Sequence, residues 1–304
     1  MPLGTYTVTA VADKSCPVGY ACQSFSIACP GVLLAAKGWL AVAPPAAPMR
    51  GLVVMPGGST GTMYWSTRTA LTTAMTENLR SAGFEIVQVK FKKRWMGSSK
   101  GELAGPAALS CRFSTAIQFA HDAIYAPAGG SNGGVPGGCG FCIFGTSGSS
   151  SPIAYALTHY GQEDIVDGAF PISGPVHGDM AKSCERHLQD EAFWIDERAN
   201  EIDSSYGFGR SYGPCYTHNG SFESYWNRDS VVTGGNDYYY PSTRVHSIFG
   251  GKDQTGAVAI GLEVLSTMID AGSPLISSQI VAGMGHGIDS DPNGIDALYA
   301  AITA

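Results

Sequence analysis

Apolar and polar positions along the chain follow two rhythms that take turns. Strict alternation marks "TYTVTAVA" (5–12) and "SFSIACPG" (24–31), the period of half-buried antiparallel strands. Longer apolar runs mark "GLVVMPGG" (51–58), "FEIVQVKF" (84–91), "CGFCIFG" (139–145) and "VDGAFPIS" (166–173), as in strands covered on both faces. Helical spacing fills the intervals and predicts helices over 63–83, 108–125 and 150–161. "AVAPPAAPM" (41–49) reads as a Pro/Ala-rich connector, and "GGSNGGVPGG" (129–138) as a glycine-rich turn. The rhythm lapses from Gly174 to Tyr240 and then resumes. Strands are predicted over 243–251 and 277–286, and helices over 257–272 and 295–303.

Strands alternating with helices imply an α/β fold: a mainly parallel sheet covered by helices on both faces. The chain enters it through an antiparallel N-terminal pair. The irregular stretch is too long for a simple connection and reads as an inserted cap or lid over 176–240. The core is then 1–175 and 241–304.

Composition narrows the function. Of 304 residues, 44% are hydrophobic, enough for a large core, and only 14% are charged. A net charge of −7 offers no basic stripe for nucleic acid. No run of apolar residues is long enough to span a membrane. Eight cysteines, an even number, with low charge and abundant glycine, favour disulfides and a secreted or periplasmic protein. The first ten residues lack the basic and apolar regions of a signal peptide, as in a mature form. Cys139-Gly-Phe-Cys142 has metal or redox spacing, but no second pair completes a zinc site, and the motif leads into a strand rather than a helix. Cys184 with Cys215 is a plausible local bridge. Cys16, Cys22 and Cys29 pair among themselves or with a more distant partner. No metal and no cofactor is expected.

The chemistry concentrates at strand ends. Gly145-Thr146-Ser147-Gly148-Ser149 joins a strand to a helix, the setting in which a G-x-S-x-G turn holds a nucleophile above a sheet. Ser149 stands where the second glycine is usual and is small enough to fit. A serine hydroxyl needs a base, and the base an orienting carboxylate. Asp253 follows the strand 243–251, and His286 follows the last strand, in the chain order Ser, Asp, His. His177, after the strand 166–173, is the strongest competing base. The "MPGGSTGT" loop (55–62) would bring a backbone donor at Gly58 or Ser59, with Gly148 the second, to a developing oxyanion.

These motifs resemble the α/β-hydrolase fold serine hydrolases. The elbow Gly145–Ser149, the loop Pro56–Thr60, "GGKD" and "GMGHG" carry the resemblance over the whole chain except the cap. It implies Ser147 as nucleophile, Asp253 as acid and His286 as base. The missing glycine and a Pro-Gly-Gly oxyanion loop, where many relatives have His-Gly, weaken placement in a particular subfamily.

Of the chain's 14 Tyr, 12 Phe and 5 Trp, twelve fall within 176–240. Most are expected to give the cap its own core. Tyr64, Trp65 and Trp95 are expected to rim the site and to tilt it toward aromatic or polymeric esters. The expected activity is hydrolysis of a small or polymeric carboxylic ester, with a serine peptidase or a non-catalytic binding module as alternatives. "DSDPNG" (289–294) matches half a calcium loop through Asp289, Asp291 and Asn293, but Ala300 stands where the bidentate glutamate is needed, and turn-and-cap chemistry explains it as well.

Overall fold

A computed structural model describes residues 1–9, 11–129, 138–194, 196–209 and 211–304. The turn expected over 129–138 lies mostly outside them. Among the described residues one sheet runs through the molecule. Its strands are β1 (Thr5–Thr9), β2 (Ala21–Ala28), β3 (Ala36–Ala43), β4 (Gly51–Pro56), β5 (Phe84–Phe91), β6 (Phe141–Thr146), β7 (Gly168–Ile172), β8 (Arg244–Gly250) and β9 (Ile276–Val281). The spatial order is β1-β2-β3-β5-β4-β6-β7-β8-β9. The run from β5 to β9 is parallel, while β1, β2, β3 and β5 pair antiparallel.

β3 corrects the sequence reading, which placed a connector over 41–49. Ala41, Val42 and Ala43 end a strand in register with Gln88, Val87 and Ile86 of β5. Alanine is a poor strand former, but tertiary pairing overrides so weak a preference. Only Pro44 ends the strand.

The central strands β4 and β6 are buried throughout. Their side chains alternate between two apolar layers. Leu52, Val54, Phe141 and Ile143 face the layer containing Phe113, Ile117, Ile153 and Leu265. Val53, Met55, Cys142 and Phe144 face the layer containing Met75, Leu79, Leu298 and Ile302. Helices α1 (Ala70–Ser81) and α9 (Pro292–Thr303) therefore cover one face. Helices α2 (Gly105–Ala120), α3 (Ser150–Thr158) and α8 (Ala257–Asp270) cover the other. The order β5-β4-β6 reverses direction beside β4, and such reversals open a crevice at the carboxyl ends of the strands.

Between β7 and β8 the chain forms short helices: α4 (Met180–Glu185), α5 (Asp196–Ser205), α6 (Glu223–Asp229) and α7 (Val231–Gly234). They enclose a separate apolar cluster of Met180, Ile202, Tyr206 and Trp226, joined by the Cys184–Cys215 disulfide. Within it, the buried Asp203 carboxylate accepts the backbone N–H groups of Cys215 and Tyr216, each at 2.9 Å. The remaining disulfides are Cys16–Cys22, Cys29–Cys111 and Cys139–Cys142. Cys29–Cys111 ties β2 to α2 across 82 residues of sequence.

Candidate active site

Ser147 begins the turn that links β6 to α3, and its φ is +53°. A non-glycine residue there costs about 1–3 kcal/mol and persists only where its surroundings enforce it. Two neighbours do so. Gly145 lets the turn close: a methyl group on it would lie 2.1 Å from the carbonyl oxygen of Ser149. Ser149, in place of the second glycine, adds what glycine lacks. Its hydroxyl accepts from the N–H of Thr146 and donates to the Thr146 carbonyl, both at 2.9 Å, and so clasps the turn around Ser147. Beyond it, the Ser150 hydroxyl donates to the Ser147 carbonyl, and the Ser151 hydroxyl accepts from His177 N–H.

His286 lies in the loop after β9. Its Nε2 is 2.7 Å from Ser147 Oγ, and its Nδ1 is 2.8 Å from Asp253 Oδ2. A carboxylate can only accept, so the proton of neutral His286 belongs on Nδ1, leaving Nε2 to accept from the Ser147 hydroxyl. The Asp253 side chain is fully buried, whereas that of His286 is 28% exposed. Burial alone pushes the Asp253 carboxyl up. Hydrogen bonds from His286 and from the backbone and hydroxyl of Thr255 outweigh it and hold the carboxyl below its usual range. Thr255 was not singled out in the sequence. Asp-x-Thr after a strand was the available signal, because such an aspartate commonly accepts from the residue two positions on.

The loop after β4 turns at Gly58, whose φ is +64°, and brings Ser59 against Gly148. A methyl group on Gly148 would lie 2.9 Å from Ser59 O. That carbonyl accepts from Trp95 Nε1 at 3.2 Å, and Thr60 O accepts from Trp95 N–H. Trp95 therefore holds this loop from behind.

The three aromatic residues expected at the rim are inside the protein instead. Tyr64, Trp65 and Trp95 are only 2%, 1% and 2% exposed. Tyr64 donates to Asp13, and Trp65 packs edge-on against Phe144. An aromatic ring gains more from burial in a nearby core than from a rim, and sequence proximity to a loop does not distinguish the two. His177 does not approach Ser147 as a base. It is fully buried against Trp95 and Tyr155 with neither ring nitrogen hydrogen-bonded among the described residues, and burial, aided by the Arg198 guanidinium, lowers its pKa to about 3.

What does line the cleft beside Ser147 and His286 is polar. Arg68 and Asp289 form one side, with Arg68 Nη2 2.6 Å and Nε 2.9 Å from Asp289 Oδ2. Asp291 caps α9 by accepting from Gly294 N–H at 2.9 Å. Both aspartates of the half calcium loop thus have other partners, and among the described residues no cluster of three metal-binding side chains occurs. Arg198, on α5, forms the other side and donates from Nη2 to Ser147 Oγ at 3.0 Å. Neither arginine was singled out from the sequence. Arg198 sits in "DERANE", where nothing in spacing marks one charge among four as facing the site.

No family model and no curated protein matches this sequence. Solved structures do. A hyperthermophilic esterase from the archaeon Pyrobaculum calidifontis is 13% identical at a TM-score of 0.56, covering 93% of this chain and 85% of that one. A thermostable carboxyl esterase from Bacillus coagulans is 14% identical at 0.51, covering 93% and 97%. A puromycin-hydrolysing peptidase from Mycobacterium tuberculosis is 16% identical at 0.55, covering 96% of this chain and 41% of that one. At such identities the likeness speaks for architecture: the chain has the α/β-hydrolase fold.

Proposed function

We propose that the protein is a serine hydrolase of carboxylic esters. The observation that carries this reading is the continuous line from Ser147 through His286 to the buried Asp253, with each member in a loop at the carboxyl end of a strand. Ser147 attacks the ester carbonyl while His286 Nε2 takes its proton. The negative charge on the carbonyl oxygen is received by the N–H groups of Gly148 and Ser59, helped by the positive end of α3. His286 then protonates the departing alcohol, leaving an acyl-enzyme. It next takes a proton from water, which attacks the acyl carbon and frees Ser147. Asp253 holds the imidazole in the tautomer this requires and stabilises its charged form.

Residues 176–240 act as a cap over this site, a reading supported by their own apolar cluster and by the reach of Arg198 into the cleft. Burial of Tyr64, Trp65 and Trp95 leaves a preference for aromatic or polymeric esters without support from them. The four disulfides support an oxidising, secreted or periplasmic setting.

The test is hydrolysis of p-nitrophenyl acetate and butyrate beside a p-nitroanilide. Wild type should cleave the esters, and Ser147→Ala should lower kcat by about 10⁴-fold or more with little change in Tm. Substantial turnover by Ser147→Ala would refute the assignment, and faster cleavage of the anilide would favour a peptidase.

A further inference from the structure

Arg198 is an expensive residue to leave beside a serine nucleophile unless an anion is meant to meet it. Its side chain is only 17% exposed. Nη1 is held by Glu201 at 3.0 Å, which fixes the guanidinium from one side. Nη2 donates to Ser147 Oγ, and Nε is buried without a hydrogen-bond partner among the described residues. A guanidinium presents its N–H groups as a rigid fork that matches a carboxylate. Here one donor of the fork meets only a neutral hydroxyl, and another meets no described residue.

Each arginine of the cleft has one carboxylate partner, but the two are engaged differently. Arg68 is matched by Asp289, which lines the cleft with it. Glu201 is shared between Arg198 and Arg94, the latter at 3.6 Å. Glu201 engages only Nη1 of Arg198, so among the described side chains Nη2 and Nε face no carboxylate, and Nη2 lies beside Ser147 where substrate must approach.

We propose that this site selects esters carrying a free carboxylate, which Arg198 binds while Ser147 attacks the ester. The inference rests on the hydrolase reading above. The carboxylate lies about 2.8 Å from the guanidinium and the scissile carbonyl about 3 Å from Ser147 Oγ. Since Nη2 and Oγ are 3.0 Å apart, the acid and the ester lie within about 9 Å of each other. Monoesters of short or benzene dicarboxylic acids fit that span. On binding, the carboxylate takes Nη2 from Ser147, freeing the hydroxyl's lone pair for attack.

Two matched pairs test this. Monoethyl succinate and diethyl succinate place the charge on the acyl side. 4-Carboxyphenyl butyrate and its methyl ester place it on the alcohol side. In wild type, kcat/KM for the acid should exceed that for the uncharged twin about tenfold or more in at least one pair. In Arg198→Gln the ratio should fall to near one, and Arg198→Lys should recover part of it. Calorimetry with succinate and benzoate reads the same interaction without chemistry: Kd should rise about tenfold or more in Arg198→Gln, with Tm showing that the variant is folded. Equal or better turnover of the uncharged twins by wild type, with succinate and benzoate binding wild type and Arg198→Gln alike, would overturn the proposal. If no ester is cleaved and a fluorophosphonate leaves Ser147 unlabelled, the hydrolase reading fails, and the calorimetric comparison still decides whether Arg198 holds a carboxylate.

Discussion

Ser147 is approached from two sides by parts of the chain that are built differently. His286 and Asp253 reach it from loops that leave β9 and β8 within five residues of the strand ends. Arg198 reaches it from α5, in the middle of the long segment between β7 and β8. The loops inherit their positions from a parallel sheet whose register is set by two buried apolar layers. The segment inherits its position from its own small cluster, one disulfide, and the packing of Val231 and Tyr240 into the apolar layer beneath it. The first arrangement fixes three side chains relative to one another and suits the chemistry proposed for them. The second is a long irregular connection, the kind of segment that commonly carries substrate selection.

Four perturbations probe this division. The largest effect should come at the sheet. Asp253→Asn keeps the shape but lets His286 adopt the wrong tautomer, and kcat should fall about 10³-fold or more. A loss under tenfold would mean that Thr255 and the loop orient His286 unaided. Next, removing the 31-residue bridge with Cys184→Ala and Cys215→Ala should cost about 3 kcal/mol in urea unfolding. A loss below about 1 kcal/mol would place the segment's stability on its apolar cluster alone.

Third is acid sensitivity from two buried histidines. Burial keeps His177 and His159 neutral, lowering their pKa to about 3 and about 4 from an ordinary 6.5. Below pH 6.5 the unfolded chain therefore takes up protons that the folded chain does not, so stability falls as pH drops from 6.5 toward 4. His177 alone should account for about 2 kcal/mol between pH 6.5 and 5. Unfolding free energy measured against pH should flatten in His177→Leu. An unchanged slope would show that His177 is not the source. The smallest effect is Ser149→Ala, which opens the clasp on the elbow and should cost about 1–2 kcal/mol in the same urea assay.

The same division explains what could be read in advance. The elbow, Asp253 and His286 were legible because each sits where a period of two or a continuous apolar run stops, and the order Ser, Asp, His leaves few alternatives. Ser149 was read as a small packing residue; its role as a double hydrogen-bond partner depends on turn geometry that composition does not encode. β3 was missed because Ala41 and Ala43 have no strand preference of their own and become strand only by pairing beside β5. Tyr64, Trp65 and Trp95 were misplaced because a loop aromatic looks the same in sequence whether it turns outward or in. Arg198 was invisible because a long-range approach by an irregular segment leaves no periodic trace.

The central claim is that Ser147 is an activated nucleophile. Treating the folded protein with a fluorophosphonate and mapping the adduct by peptide mass spectrometry tests it most directly. The account predicts a single adduct on Ser147, lost on prior unfolding and much slowed in His286→Ala. A folded protein that stays unlabelled, or one labelled at another serine, would contradict it.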